Sequence, residues 1–597
     1  MPAPSPSLVD SDVVSITLAV AGTDVTDSYE ILSVHVSKAA NRIPSARIVI
    51  RDGSASDEAF AASDADDFSP GNKITVKAGY HQQEETIFEG IIIKHGIRKR
   101  ADNPSQLVVE CRDEAIKMTV GRKNAYYTAV TDGDIIGQVI QPYGLTSDVA
   151  ATTPQLPGVT QFDSTDWDFI AIRAQVNGMP ILVDGGKLTI KPPALSQTAK
   201  LSVTYGVDVF DFQMELDART QLSSVECASW DAKTQTVITS DAPAGAINKL
   251  GKDTSSALAK VIGAGTVKLT TTGTVAADSL AAWAKAAMLK SELAKVSGKI
   301  KFQGSAAIHP GDLLEVNGFG TRFDGTAYVG GVTHAIEEGM WTTEASLGLD
   351  PEWFASEPGI AADPAAGLLP PVRGLQNGVV KQIQDDPDGE CRVLVTVPVV
   401  GAAGDGIWAR LAGVYATGTA GNFFYPEVGD EVILGFLNED PRYPIILGSV
   451  YSQANAHPLK PDQDNTKKTI LTKGQLQILF DDKDKILTIQ TPGKNKIVFS
   501  DKDKSILISD QNGNKIELSG SGIEINSAKD ITITAAQNIT TTATGGTLGA
   551  KGTQGVTVAG LKIALSADTE LTAAGQATAS LTSSGQTTVK GALVMIN

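Results

Sequence analysis

The chain has 597 residues, a formal net charge of −18, 42% hydrophobic residues and 20% charged ones. At roughly 150 residues per domain this length points to three or four domains, and the composition is that of a globular protein. The acidic balance excludes nucleic acid as the main partner, because phosphate contacts need clustered Lys and Arg. It also excludes simple electrostatic docking on anionic lipid. Cys111, Cys227 and Cys391 lie far apart, with no CxxC, so neither a disulfide framework nor a cysteine metal site is signalled. All three read as small buried apolar residues. The opening MPAPSPSLVD lacks the basic start and apolar run of a secretory signal, and no apolar stretch is long enough to span a bilayer. The expectation is synthesis in the cytosol and an exit that uses no cleaved signal.

Composition shifts divide the chain into residues 1–360, 361–462 and 463–597. In the first region SARIVIRDG, KITVKAGY, TIFEGIIIKHGIRKR and QLVVECRD read as strands. Ser164–Gly178 reads as a helix. Thr165 suits the N-cap, Trp167, Ile170, Ala171 and Ala174 share a face, and Gly178 suits the C-cap. Leu280–Gly298 is Ala-rich, ends in Gly and reads as a second helix. His309–Ile336 returns to strands and turns. The region is α+β, with its strands expected to close into barrel-like lobes. Pro358–Pro371, rich in Pro, Ala and Gly, is a linker. A strand-rich block follows to about Val450, then the polar connector Ser452–Lys468.

The last region alternates apolar and polar residues. Its inward candidates come in pairs: Ile497 and Phe499, Ile506 and Ile508, Ile516 and Leu518, Ile523 and Ile525, Ile531 and Ile533. A spacing of two within a pair is one face of a strand. The pairs recur about every eight to ten residues, with Asp-Lys, Asn-Gly and Ser-Gly turns between them. Burial of one large aliphatic contributes about 1.5–3 kcal/mol, so ten on an open ribbon would forfeit roughly 15–30 kcal/mol as an upper bound. The chain must coil alone into a wide solenoid or share a core with other chains. Nine-residue units favour three chains around one axis. Beyond Thr540 the large aliphatics give way to Thr, Ala, Ser and Gly, which predicts a narrower bundle.

Phe423–Pro458, FFYPEVGDEVILGFLNEDPRYPIILGSVYSQANAHP, resembles the signature of the VgrG family. These are the spike proteins of type VI secretion, with relatives in extracellular contractile injection systems and contractile phage tails. The signature residues are Pro426, Gly429, Gly435, Pro441, Pro444 and Gly448. GECRVLVTVP and GIWARLAGVYA are similar to the preceding strands, Ser164–Ile190 and His309–Ile336 to the family's hub, and VKGALVMIN to its ending. The resemblance implies a mainly β fold with an α+β hub of two barrel-like lobes (residues 1–360). An OB-type barrel (361–462) and an intertwined trimeric β-helix or prism needle (463–597) would follow. It implies a homotrimer whose hub caps the inner tube of a baseplate and whose needle punctures a target envelope by mechanical force. Effector cargo is compatible with that role, and the target membrane is touched only during puncture. A PAAR-type tip protein would sit on Met595, Ile596 and Asn597. The dozen residues between barrel and needle are too few for the lysozyme domain of some phage relatives. The last histidine, His457, precedes the needle, so the iron-binding His-x-His tip of certain phage spikes is not expected.

No GxSxG, HExxH or GxxxxGK[ST] motif is present. His334 with Glu337 and Glu338 reads as a strand-end histidine beside solvated carboxylates. Asp481–Lys485 and Asp501–Lys504 lack the EF-hand pattern and read as charged turns that oppose sheet stacking. His95–Arg100 reads as a solvated strand end. No catalytic residue, cofactor or metal is expected. The competing functions are a trimeric tail fibre or adhesin and a polysaccharide-degrading β-solenoid enzyme. The nearly uncharged tail beyond Gly546 disfavours the enzyme, and the tapering end disfavours a fibre with a globular head.

Overall fold

The computed structural model describes residues 3–7, 13–101, 104–245, 249–401 and 405–596. They form two compact units, Met1–Ser449 and Val450–Asn597.

A thirteen-stranded sheet organises the first unit. Strands Ser15–Val20, Ile31–Ala39, Ser45–Arg51, Lys73–Tyr80, Gln83–Arg98 and Gln106–Arg112 surround one core, which includes Leu18, Val36, Ile48, Phe88 and Leu107. Val209–Leu216, Val296–Gln303, Gly325–Glu337 and Met340–Leu347 surround another, with Ile300, Phe302, Val316 and Ala345. The alternation read from SARIVIRDG and KITVKAGY gives these strands their buried face. The two lobes share their sheet. Gly325–Glu337 pairs antiparallel with Ile31–Ala39, placing His334 opposite Val36. Among the described residues their hydrogen-bond order is one branched path, so the two barrel-like lobes are two cores on a continuous sheet.

An α/β insert accompanies each lobe. In the first, helices Asp132–Ile140 and Asp166–Val176 bury Ile135, Ile136, Trp167, Ile170, Ala171 and Ala174 in one cluster. Thr165 caps the second helix, its Oγ1 accepting from the Asp168 N–H at 3.0 Å. Gly178 follows at φ +67°, a left-handed turn that glycine adopts without strain. In the second, helix Ala277–Leu293 packs on strands Ser224–Asp231 and Thr236–Pro243. This helix stops short of the Gly298 that the sequence suggests. Val296 is buried in the second core and pairs with Leu216, so sheet pairing overrides the helical propensity of the Ala-rich run. Gly298 lies within that strand, where a Cβ would approach the Gln213 carbonyl oxygen to 2.0 Å.

The same unit holds a closed five-stranded barrel: Gln376–Gln382, Val393–Thr396, Ile407–Leu411, Pro444–Ser449 and Glu431–Phe436, in that order around the ring. Val380, Val393, Val395, Ala409, Val432, Leu434 and Ile446 fill it. Cys111 and Cys227 are buried, as their apolar character predicts. Cys391 is exposed, against expectation, on the turn before Val393 at φ +57°. Strand alternation would set Cys391 on the inward face with Val393 and Val395, but the strand starts only at Val393, and the left-handed backbone at Cys391 breaks the alternation and turns the side chain outward.

The second unit opens with a seven-stranded antiparallel meander: Lys467–Leu471, Gln477–Asp481, Ile486–Gln490, Lys496–Ser500, Ser505–Ser509, Lys515–Ser519 and Gly522–Asn526.

Candidate assembly surface

In the meander, register stacks the apolar residues into two rows. One row is isoleucine throughout: Ile470 faces Ile478, then Ile489, Ile497, Ile508, Ile516 and Ile525 in turn. The parallel row runs Lys468, Phe480, Leu487, Phe499, Ile506, Leu518 and Ile523. Both rows lie on one face, because positions two apart in a strand share a side. This face is open. Ile508 is 43% exposed, Ile516 39% and Ile523 71%. It far exceeds the scattered apolar residues normal for a monomer surface. The other face is mostly polar. Gln490 Nε2 donates to Gln477 Oε1 at 2.7 Å, and Lys515 pairs with Glu524 at 2.9 Å.

Eight of the ten tail residues singled out by sequence therefore meet on this face. Ile531 and Ile533 lie beyond the last strand and are exposed. Sequence reasoning missed Ile470, Ile478, Phe480, Leu487 and Ile489, which extend the face; the same spacing of two in LQILF and KILTIQ marks the last four, while Ile470 is placed only by its pairing with Ile478. The charged turns between strands form ion pairs, with another turn or with a strand lysine. Lys502 Nζ stands 2.9 Å from Asp484 Oδ2, and Lys468 pairs with Asp482.

From Lys529 to Ile596 every described residue is exposed and none belongs to a strand. Bends recur about every eight residues, at 528–529, 536–537, 544–546, 553–554, 561, 568–569, 576–577, 584–585 and 592–593. The tail is thus a series of short segments whose backbone groups are left without strand partners. Met595 and Ile596 are exposed at its end. Asn597 lies outside the described residues.

In the barrel, the signature residues shape two turns and the strands that follow. Pro426 is buried, and Gly429, at φ +95°, donates its N–H to the Val380 carbonyl at 2.8 Å. Pro441 sits in the turn where Arg442 Nη2 meets Asp440 Oδ2 at 2.6 Å, and the Arg442 guanidinium holds the Asp440 carboxyl below its ordinary pKa. Pro444 is buried at the start of the last strand, and Gly435 and Gly448 lie within the final two strands.

His334 is buried, with Nδ1 3.0 Å from Thr343 Oγ1 and its ring against Trp341. Burial, reinforced by Lys38 and His309, pushes its pKa down to about 3, so the ring is neutral. It is a core residue rather than a strand-end one, while Glu337 and Glu338 are exposed. His95 also faces the protein, with Nε2 2.6 Å from Ser63 Oγ and Nδ1 3.0 Å from the Phe68 carbonyl. Among the described residues no group of three or more His, Cys, Asp or Glu is placed to hold a metal ion.

A shared-sheet hub, a closed five-stranded barrel and a strand-rich tail with an open apolar face define a spike protein of the type VI and phage-baseplate class. Residues 376–451 match the family described as the type VI secretion system/phage-baseplate injector OB domain, and 485–548 the phage baseplate V C-terminal trimerisation domain. Residues 10–338, more than half of the chain, match the Alg8 N-terminal domain; the chain belongs to that family and carries the VgrG-type spike domains beyond it.

The VgrG3 spike protein of Vibrio cholerae is 36% identical over 81 residues, 13% of this chain and 8% of that protein. VgrG5 of Pseudomonas aeruginosa is 32% identical over 110 residues, 17% of this chain and 14% of that protein. The match thus spans a small part of these relatives' length. Similar solved structures include the 43 kDa tail protein of prophage MuSo2 from Shewanella oneidensis (13% identity, TM-score 0.43, 57% of this chain and 98% of that one). Another is an E. coli component of the type VI secretion system (13% identity, TM-score 0.37, 72% and 99%).

Proposed function

We propose that three copies of this chain form the central spike of a contractile injection machine. The open apolar face of the meander carries the proposal. A sheet that exposes two rows of Ile, Leu and Phe is stable in water only when covered, and a tail of extended segments needs partners for its backbone N–H and C=O groups. Two further copies supply both. The match of 485–548 to a trimerisation domain supports the same stoichiometry.

In this reading the hub caps the inner tube among the baseplate components, and the tail is a needle. Sheath contraction drives the needle forward, and continuous interchain hydrogen bonds around a dry core resist bending. The work is mechanical, with no catalytic step. A PAAR-type tip protein seats on Met595, Ile596 and Asn597, and effectors ride with the complex. The chain is made and assembled in the bacterial cytoplasm and travels with the particle, outside the cell or into a target. Sedimentation of the full chain at micromolar concentration tests the reading. A trimer is expected, and a monomer with full β content refutes it.

A further inference from the structure

The second unit satisfies its backbone in two ways. From Lys467 to Asn526 every strand pairs with a neighbour in the same chain, through six consecutive antiparallel registers. From Lys529 to Ile596 no described residue has a strand partner in the chain. The change falls at Ser527–Ala528, where the Asn514 side chain ties the chain to the preceding turn. Asn514 Oδ1 accepts from Ser527 Oγ at 2.8 Å and from the Ala528 N–H at 3.0 Å.

We infer that the meander nucleates the three-chain assembly and sets its register, and that the tail pairs between chains only afterwards. This rests on the trimer reading above. The occupant of the apolar face is the same face of two further copies.

Three arguments favour this order. The meander has its strand pairing within one chain, so docking it orders little new backbone. The tail must order more than sixty residues, each at a cost in backbone entropy, before interchain bonds offset that cost. Register is the second argument. Successive eight-residue units of the tail offer similar Thr, Ala, Ser and Gly side chains, and such strands specify register weakly. In the meander the isoleucine row is uniform, but the second row is not. The second row begins at Lys468 and carries Phe only at 480 and 499, so displacement by one strand sets unlike groups together. The third is continuity: the tail leaves the meander from its last strand, so a registered meander delivers three tails at one level.

The test compares the full chain with two variants, by sedimentation and by amide hydrogen exchange. Val558→Pro removes a backbone donor in mid-tail. It is expected to remain a trimer and to lose protection only in the units around 558. Monomers instead would show that the tail holds the chains together, which overturns the inference. Ile508→Asp places a carboxylate in the isoleucine row. It is expected to sediment as a monomer with residues 529–596 unprotected. A trimer with a protected tail would overturn the inference and leave the trimer reading standing. A monomeric wild-type chain would overturn the trimer reading itself.

Discussion

Replacing Ile516 by Asp tests the shared core most directly. Ile516 retains 39% of its surface exposed in the single chain, in the isoleucine row between Ile508 and Ile525. Full burial of such a side chain contributes about 1.5–3 kcal/mol, so association removes about 0.6–1.2 kcal/mol of exposure per copy and roughly 2–3.5 kcal/mol for three. The substitution forfeits that and brings three carboxylates towards one axis. Each unpaired buried ion costs several kcal/mol, roughly 10 kcal/mol for the set. At 1.4 kcal/mol per tenfold the sum is more than about seven orders of magnitude in the association constant.

Sedimentation velocity over a concentration series reads this as loss of the trimer. Burial and like charges both raise a carboxyl pKa, so acidification neutralises the three groups on assembly and recovers part of the trimer near pH 4–5. Ile516→Asn has no charge to neutralise and shows no such recovery. An Ile516→Asp protein that sediments like the wild type at pH 7 would refute the shared core.

Lys502→Ala removes an exposed turn pair with Asp484 and leaves sedimentation unchanged; loss of the trimer would place that turn inside the interface. His334 is neutral when folded, its pKa pushed down to about 3, whereas the unfolded value is near 6.5. The unfolded state therefore binds the extra proton, so this group's stabilisation is complete above pH 6.5 and is lost as pH falls towards 3. His334→Gln flattens that part of the hub's melting-temperature profile, by at most about 4–5 kcal/mol of stability. An unchanged difference between variant and wild type from pH 7 to 4 would contradict the buried neutral ring. Gly304 lies under Trp341, where a Cβ would come within 2.1 Å of the indole. Gly304→Ala costs about 1–3 kcal/mol in denaturant unfolding, and wild-type stability would show that the indole moves freely.

Strand identity in the hub was legible because local side-chain alternation marks a buried face, as in Ser45–Arg51 and Lys73–Tyr80. The helix at Asp166–Val176 was legible for a similar reason, since Thr165 and Gly178 announce its ends locally. The barrel strands were legible from a family signature and not from periodicity alone. Gly298 was misread because glycine serves both helix ends and close strand contacts, and only the pairing of Val296 with Leu216 decides between them. Cys391 was misread because a turn, invisible in composition, rotated it to the surface.

By itself the amino-acid order determined which tail residues share a face, because a period of two needs nothing beyond the pleat. It also determined the acidic charge and the motif content. Only the tertiary structure decided that the hub lobes share one sheet, that His334 is a neutral core group, and that the tail changes its pairing after Asn526. Each of these depends on which distant strand accepts a backbone hydrogen bond. That choice is made by the packing of the whole chain and leaves no mark on a local stretch.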